Sequence, residues 1–464
     1  MQSSAQTLDW PNQPLPFKIY TSLEPMPLSL AFEPSEASAL SSIGGGVTGL
    51  VPRAMTDWSD AIARLAYFSN GVTRVLRGMA FRAAACTGAL FHIELYLVTR
   101  DLGAVESGVY HYGAHDNALR QLRRGDFRRV LVDASGGEPA LSAAPLTMVL
   151  TSTWWRNAWK YQARAYRHAF WDGGTVLANL LAVANGQTIP SEVVVGFADA
   201  AVNELLDVNP AKEAAIALVA IGAGAEPPPV SPPMPRLNLS TRPLSAHEVD
   251  YPEITAAHTA SSLADGAAAA AWRGNFPLES RVAGQGFDGD QSIEAVILRR
   301  GSSRRFSHAA ISRAQLETML AVATSPIPMD VHLTTDVYLI VNAVDGLPSG
   351  AYFYSRETGT LELLQRGDFR PQAAYLDLGQ SLAGDAAFDA YWLVNLDPFD
   401  DRAYRAAQLT AAIEAGKLYL AAYSLGLGAT GLTFFDDDVT HFFEPHAAGK
   451  SVLFLTAVGH PFKR

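Results

Sequence analysis

LRRGDFR at residues 122–128 returns as LQRGDFR at residues 364–370, 242 positions later. The same spacing joins two further blocks. Glu94-Leu95-Tyr96-Leu97-Val98 meets Asp336-Val337-Tyr338-Leu339-Ile340, and Ser107-Gly108-Val109-Tyr110-His111-Tyr112 meets Ser349-Gly350-Ala351-Tyr352-Phe353-Tyr354. Three blocks in one register predict a chain that contains one unit twice. A period this long with two copies is domain duplication, not a solenoid. The boundary is equally visible. EPPPVSPPMPRLNLSTRP at 226–243 holds seven prolines, a stiff extended composition that neither helix nor inner strand tolerates. The expected organisation is a first copy at 1–222, a proline-rich linker at 223–245 and a second copy at 246–464.

Composition narrows the class. A length of 464 residues allows two to four domains at about 100–200 residues each. Apolar residues make up 48% and charged residues 17%, which excludes a disordered chain. The net charge of −11 argues against nucleic acid as a partner, since that needs a broad basic face. The lone cysteine, Cys86, excludes internal disulfides and cysteine-rich zinc sites. The opening MQSSAQTLDWPNQP has neither the basic nor the apolar region of a signal peptide. The longest apolar stretch, at 214–225, falls short of the about 20 residues of a bilayer span. The expectation is a soluble, cytoplasmic protein.

The periodicities alternate between helix and strand, an α+β pattern with helices covering a sheet. Helices are expected at 57–67, 157–184 (bent at Gly173-Gly174), 292–299, 312–323 and 402–425. The helix at 312 opens on Ser312 and Gln315, a capping-box spacing. Strands are expected at 95–99, 108–112, 146–151, 337–342, 351–354, 392–394 and 451–458.

Four stretches could carry chemistry. Arg299-Arg300-Gly301-Ser302-Ser303-Arg304-Arg305 packs four arginines into seven residues of an acidic chain. Guanidinium forks and hydroxyls match phosphate oxygens, although a solvated basic helix end has the same composition. Gly426-Leu427-Gly428-Ala429-Thr430-Gly431 closes a long helix. It would let backbone approach a flat ligand, or simply cap the helix and turn. Arg82-Ala83-Ala84-Ala85-Cys86-Thr87-Gly88-Ala89-Leu90 is a run of small residues before a strand. Without a fixed histidine partner, Cys86 reads as a small loop residue rather than a nucleophile. Lys160-Tyr161, among Trp154, Trp155 and Trp159, could transfer a proton if partly buried; an aromatic interface helix is the plainer alternative. Neighbours point about 100° apart on a helix, so both reach one pocket only near its end. There is no GxGxxG after a strand, no GxxxxGK[ST], no GxSxG and no HExxH, and no metal site is proposed.

In their order along the chain these stretches resemble the nitroreductase superfamily, in its SagB/ThcOx-type dehydrogenase branch and tandem form. The likeness rests on Arg300-x-Ser302-x-Arg304, ACTGALF, GVYHY with RGDFR, Lys160-Tyr161, GLGATG with the following FDD, and the opening DWPNQPLPFKIY. It implies two fused nitroreductase-like domains, each a mixed sheet covered by helices, joined as an intramolecular pseudo-dimer. It also implies FMN at the interface. The arginine loop, Gly428, Ala429, Thr430, Gly431 and the terminal Lys463 and Arg464 would bind it from one side. Cys86, Thr87 and Gly88 would face its ring from the other, and Lys160 and Tyr161 would be catalytic.

The copies have lost complementary parts. Only the second has the arginine loop, the glycine segment and Lys463-Arg464; the first has FEPSEASALSSIGGG and Asn185-Gly186-Gln187-Thr188-Ile189-Pro190 instead. Only the first has Cys86-Thr87-Gly88 and Lys160-Tyr161; the second has Pro328-Met329-Asp330. The expectation is one FMN per chain at a composite site, with the reciprocal site empty. The activity implied is oxidation of a C–H bond, azoline to azole, in a small-molecule or peptide substrate, alongside peptide-modifying partner enzymes. An NAD(P)H-dependent nitro or quinone reductase and a non-catalytic flavoprotein or scaffold are the rival readings. The chain would act as a monomeric pseudo-dimer or a homodimer of it, without nucleic acid or membrane.

Overall fold

The computed structural model describes residues 8–45, 58–276 and 286–462. Asp57, Lys463 and Arg464 lie outside them. The first half supplies β1 (Met26–Pro27), the hairpin β2 (Val72–Leu76) and β3 (Met79–Arg82), and β4 (Ile93–Thr99), β5 (Gly108–Gly113), β6 (Ala118–Arg124), β7 (Leu146–Thr153), β8 (Ser191–Val194) and β9 (Glu213–Ile221). The second supplies β10 (Asp336–Val341), β11 (Gly350–Ser355), β12 (Thr360–Arg366), β13 (Phe388–Val394), β14 (Gly428–Gly431) and β15 (Ser451–Gly459). One sheet runs β1-β6-β5-β4-β7-β9-β8 and the other β12-β11-β10-β13-β15-β14. The two orders coincide once β1 is set aside.

Pairing along each ladder is antiparallel. Among the described residues, parallel pairing enters as isolated bridges, Val193 with Met329, Ala198 with Leu263, and Ile311 with Val344. β4 is buried at every position, because both faces of the sheet are covered. Ile93, Leu95 and Leu97 join one apolar cluster and Tyr96 and Val98 another, as the two-residue period of a strand requires. The first of these clusters continues without a break into the second half.

Seven of the helices bear on the region between the halves: α1 (Ala39–Gly44), α2 (Trp58–Asn70), α3 (Trp154–Tyr161), α4 (Ala165–Gly186), α5 (Ile293–Arg299), α6 (Arg313–Ala323) and α7 (Asp401–Ser424). Ser312 caps α6 with the full capping box. The single helix expected over 157–184 is two helices. Gln162, at φ 52°, reverses the chain between α3 and α4, and no bend falls at Gly173-Gly174. Those glycines serve packing instead. A Cβ on Gly174 would lie 2.4 Å from the Ala412 Cβ, and one on Gly416 would lie 2.6 Å from the Ala178 Cβ. Only residues without side chains let α4 and α7 come this close.

Each long helix opens on the same tetrapeptide, Arg164-Ala165-Tyr166-Arg167 and Arg402-Ala403-Tyr404-Arg405, now 238 positions apart. The paired arginines grip an aspartate of the opposite half. Arg402 Nη1 and Arg405 Nη1 each lie 2.6 Å from a carboxylate oxygen of Asp199. Arg167 Nη1 lies 2.5 Å and Arg164 Nη2 3.5 Å from Asp436. The linker is not a free spacer. Arg123 donates to Pro235 O at 2.7 Å, and Thr21 N, Arg242 N and Leu15 N bond to Ser240 O, Ile19 O and Leu244 O at 3.0, 2.8 and 2.8 Å. It is strapped along the first half.

The two clamps differ in burial, with side-chain exposure of 3% at Asp199 and 39% at Asp436. Asp199→Ala leaves two buried guanidiniums without their counter-charge and should cost about 3–5 kcal/mol. Asp436→Ala should cost about 1 kcal/mol or less. Urea unfolding measures both, and equal costs would contradict the assignment. Burial pushes the Asp199 pKa up, but Arg402 and Arg405 outweigh it and hold the carboxyl below its ordinary value. Its contribution is therefore present above the unfolded pKa of about 3.9 and lost as pH falls through the folded one. Asp199→Ala should flatten that acid limb.

Candidate functional site

The loop between β3 and β4 is built around one buried carboxylate. Asp172, on α4, accepts from Thr87 N at 2.9 and 3.0 Å and from Thr87 Oγ1 at 2.8 Å. Cys86 Sγ donates to it at 3.1 Å, and His92 Nε2 lies 2.7 Å away. Thr175 Oγ1, one turn on, donates to Ala85 O at 2.7 Å. Cys86, His92 and Asp172 bring ligand-type atoms within 4.8 Å of one another, and each is engaged in these hydrogen bonds. Burial, then the Asp172 charge, pushes the Cys86 thiol well above its usual range. It keeps its proton and acts as a loop donor, not a nucleophile.

The arginine loop of the second half lies directly on this segment. Arg300 is buried, and its Nε and Nη2 donate to Ala83 O at 2.9 Å and Arg82 O at 3.2 Å. Its guanidinium faces the Tyr419 ring of α7 at 5.8 Å, and Tyr419 Oη donates to Ser302 Oγ at 2.7 Å. Three of the five Arg300 donors go to backbone carbonyls once Gly301 O is counted. The side chain read from the sequence as a phosphate ligand thus clasps the opposite half. Arg304 has no ion pair among the described residues. The segment 428–431 is an edge strand, β14, rather than a turn, because the reversal is made by Gly426 at φ +76°. Ser303 N donates to Ala429 O at 2.9 Å, and a Cβ on Gly428 would lie 2.2 Å from Ser303 Oγ. Ala429 and Thr430 are buried and Gly431 is exposed. Ser303 Oγ is buried with no hydrogen-bond partner. The sequence did not single it out, and its only signal was a place inside the arginine run. Ser307 N bonds to His460 O at 2.9 Å and Phe462 N to Arg305 O at 3.0 Å, while Lys463 and Arg464 lie outside the described residues.

Lys160 and Tyr161 end α3, a helix without a counterpart in the second half, where six residues (395–400) join β13 to α7. Arg156 pins α3 to the sheet through Glu94 and, at 3.1 Å, Phe91 O. Tyr161 Oη stands over Gly88: a Cβ there would be 2.9 Å away. Its ring meets His168 edge-on at 4.7 Å, and the exposed Lys160 Nζ lies 5.1 Å from its centroid. Burial, then the Asp172 charge, raises the Tyr161 pKa while Arg304 opposes them. Tyr161 therefore keeps its proton at neutral pH and can donate a hydrogen bond.

The reciprocal position is filled with protein. Pro328 O accepts from Val193 N at 2.8 Å, and Asp330 N donates to Val193 O at 2.9 Å. The Asp330 carboxylate accepts from Val195 N and Gly196 N, each at 2.9 Å. The second half's loop thus zips onto β8, the strand placed like β14, whereas Cys86-Thr87-Gly88 is held by Asp172.

Gly88 has φ +66°, so Gly88→Ala combines left-handed strain with a clash on Tyr161. It should cost about 1–2 kcal/mol in urea unfolding, and Tyr161→Phe alone should cost less.

Residues 297–460 match the model of the Nitroreductase family. A curated relative from Methanocaldococcus jannaschii with a nitroreductase name is 24% identical over 165 residues, 36% of this chain and 80% of the relative. A crystal structure from Anabaena variabilis, also named as a nitroreductase, superposes with a TM-score of 0.77 at 23% identity and covers 99% of this chain and 96% of that one. Residues 297–460 are therefore similar to nitroreductase-family domains, and the chain as a whole has the nitroreductase-like fold.

Proposed function

We propose that this chain is an FMN-dependent oxidoreductase with one composite flavin site, its phosphate side from the second half and its ring side from the first. The observation that carries the reading is the direct contact of the arginine loop with the small-residue loop, through Arg300 and the Ala83 and Arg82 carbonyls. The residues present fit the group. Ser303 Oγ is a buried hydroxyl lacking a partner, Arg304 has no ion pair among the described residues, and Gly428 packs directly on Ser303. Arg304, Ser302, Ser303 and β14 would hold the phosphate end, with Thr87 and Gly88 beside the ring. The nitroreductase match of residues 297–460 supports the oxidoreductase class.

Bound flavin supplies hydride acceptance at its ring. The protein supplies position and protons. Asp172 fixes the loop through Thr87 and His92. Tyr161 holds a proton over Gly88, and Lys160 and Tyr161 together would handle the proton released from the substrate, one as base and the other orienting or relaying it. The finer reading is a SagB-type dehydrogenase that oxidises an azoline of a peptide to an azole, supplied by peptide-modifying partner enzymes. The nitroreductase names of the relatives favour a second reading, reduction of nitro or quinone compounds with NAD(P)H. Anaerobic bleaching of the flavin by NADPH would select it.

The visible spectrum of the purified chain, calibrated against protein, should give one FMN per chain. A ratio of two would overturn the composite site. Lys160→Ala and Tyr161→Phe should lower turnover by about 10²–10⁴-fold with the flavin ratio unchanged. Loss of flavin along with activity would make the pair structural.

A further inference from the structure

The cations of the phosphate side do not all come from the second half. The hairpin β2–β3 of the first half reaches the arginine loop. A Cβ built on Gly301 would lie 3.7 and 3.8 Å from the two Nη atoms of Arg74, and 3.6 Å from Tyr423 Oη. Arg74 is exposed and its guanidinium faces the Phe81 ring of its own hairpin at 5.3 Å, which sets its direction. It has no ion pair and no hydrogen bond among the described residues. Burial, and the Arg74 charge after it, lower the pKa of Arg300, so the two guanidiniums sit within each other's field.

An acidic chain with 46 carboxylate side chains against 35 lysines and arginines could neutralise this pair, yet no carboxylate among the described residues forms an ion pair with either. Like charges held together without a counter-charge mark a place where an anion is expected. Arg300 spends three of its five donors on backbone carbonyls, which leaves Arg304 and Arg74 as the guanidiniums near the loop without an ion pair among the described residues. The hairpin also follows the asymmetry of the halves. In the second half the stretch between α6 and β10 contains no strand and pairs with β8 instead.

We propose that Arg74 is a cofactor-binding residue that reaches across from the first half to the phosphate group held by the arginine loop. The inference rests on the flavin reading above. It adds a phosphate ligand that local sequence could not reveal, and makes the phosphate end composite like the ring end.

Riboflavin separates the ring from the phosphate, because it lacks only the latter. Apo-protein of the full chain is titrated with FMN and with riboflavin, and quenching of flavin fluorescence gives both affinities. The wild-type chain should prefer FMN. Arg74→Ala should weaken FMN about tenfold or more and leave riboflavin unchanged, and Arg74→Lys should fall between. Arg77→Asn removes an equal charge at the hairpin tip, where φ is 52° and asparagine is tolerated; it should leave both affinities unchanged. An FMN-to-riboflavin preference unaltered by Arg74→Ala overturns the inference alone. So does an equal loss in Arg77→Asn, which would reduce Arg74 to a diffuse field. Binding of neither flavin by the wild-type chain overturns the flavin reading and this inference with it.

Discussion

Helices α4 and α7 cross where a glycine of each meets an alanine of the other. Gly174 faces Ala412 and Gly416 faces Ala178, and the successive contacts advance together along both helices. Everything between the halves is registered to that crossing. It places the first-turn arginines of each helix on an aspartate of the other half. It also sets the two walls of the candidate site. Asp172 and Thr175 on α4 hold the small-residue loop, and Tyr419 and Tyr423 on α7 back the arginine loop. A larger residue at the crossing would separate the walls as well as the helices.

One strand order built twice leaves two places between the halves, and the chain treats them differently. At one, β14 is bordered by the arginine loop, while the opposing loop is held back by Asp172. At the other, the loop 328–330 hydrogen-bonds straight onto β8. Helix α3 and the hairpin β2–β3 belong to the first half alone, and both lead to the first place. Around β8, Asp330 accepts from Val195 N and Gly196 N, and Asp199 pairs with Arg402 and Arg405.

Much of this was legible because it is local. The heptapeptide repeat, the Ser312–Gln315 cap and the arginine run are patterns over a few residues. Other features had a signal that was passed over. The tetrapeptide at Arg164 and Arg402 recurs at 238 rather than 242, because the second half lacks α3 and the register shifts. Ser303 is a serine in a loop until burial removes its partners. Gln162 carries no composition that announces a left-handed turn, and Gly173-Gly174 looks like a bend until α7 is present to occupy the space. Arg74 lies more than two hundred residues from the loop that it faces, and no linear pattern joins them.

The sequence by itself determined that the chain repeats, that its halves are α+β, and that an acidic protein concentrates arginines in one loop. Those properties follow from side-chain type and spacing, which fix hydrophobic periodicity and charge. Only the tertiary structure decided what each arginine does. Arg300 became a clasp because the opposite half presents two carbonyls to it, Arg402 and Arg405 became a buried clamp because Asp199 meets them, and Arg74 and Arg304 form no ion pair among the described residues. A guanidinium has five donors and one charge in every setting. Whether it binds a ligand or holds the fold depends on which acceptors packing brings within about 3 Å.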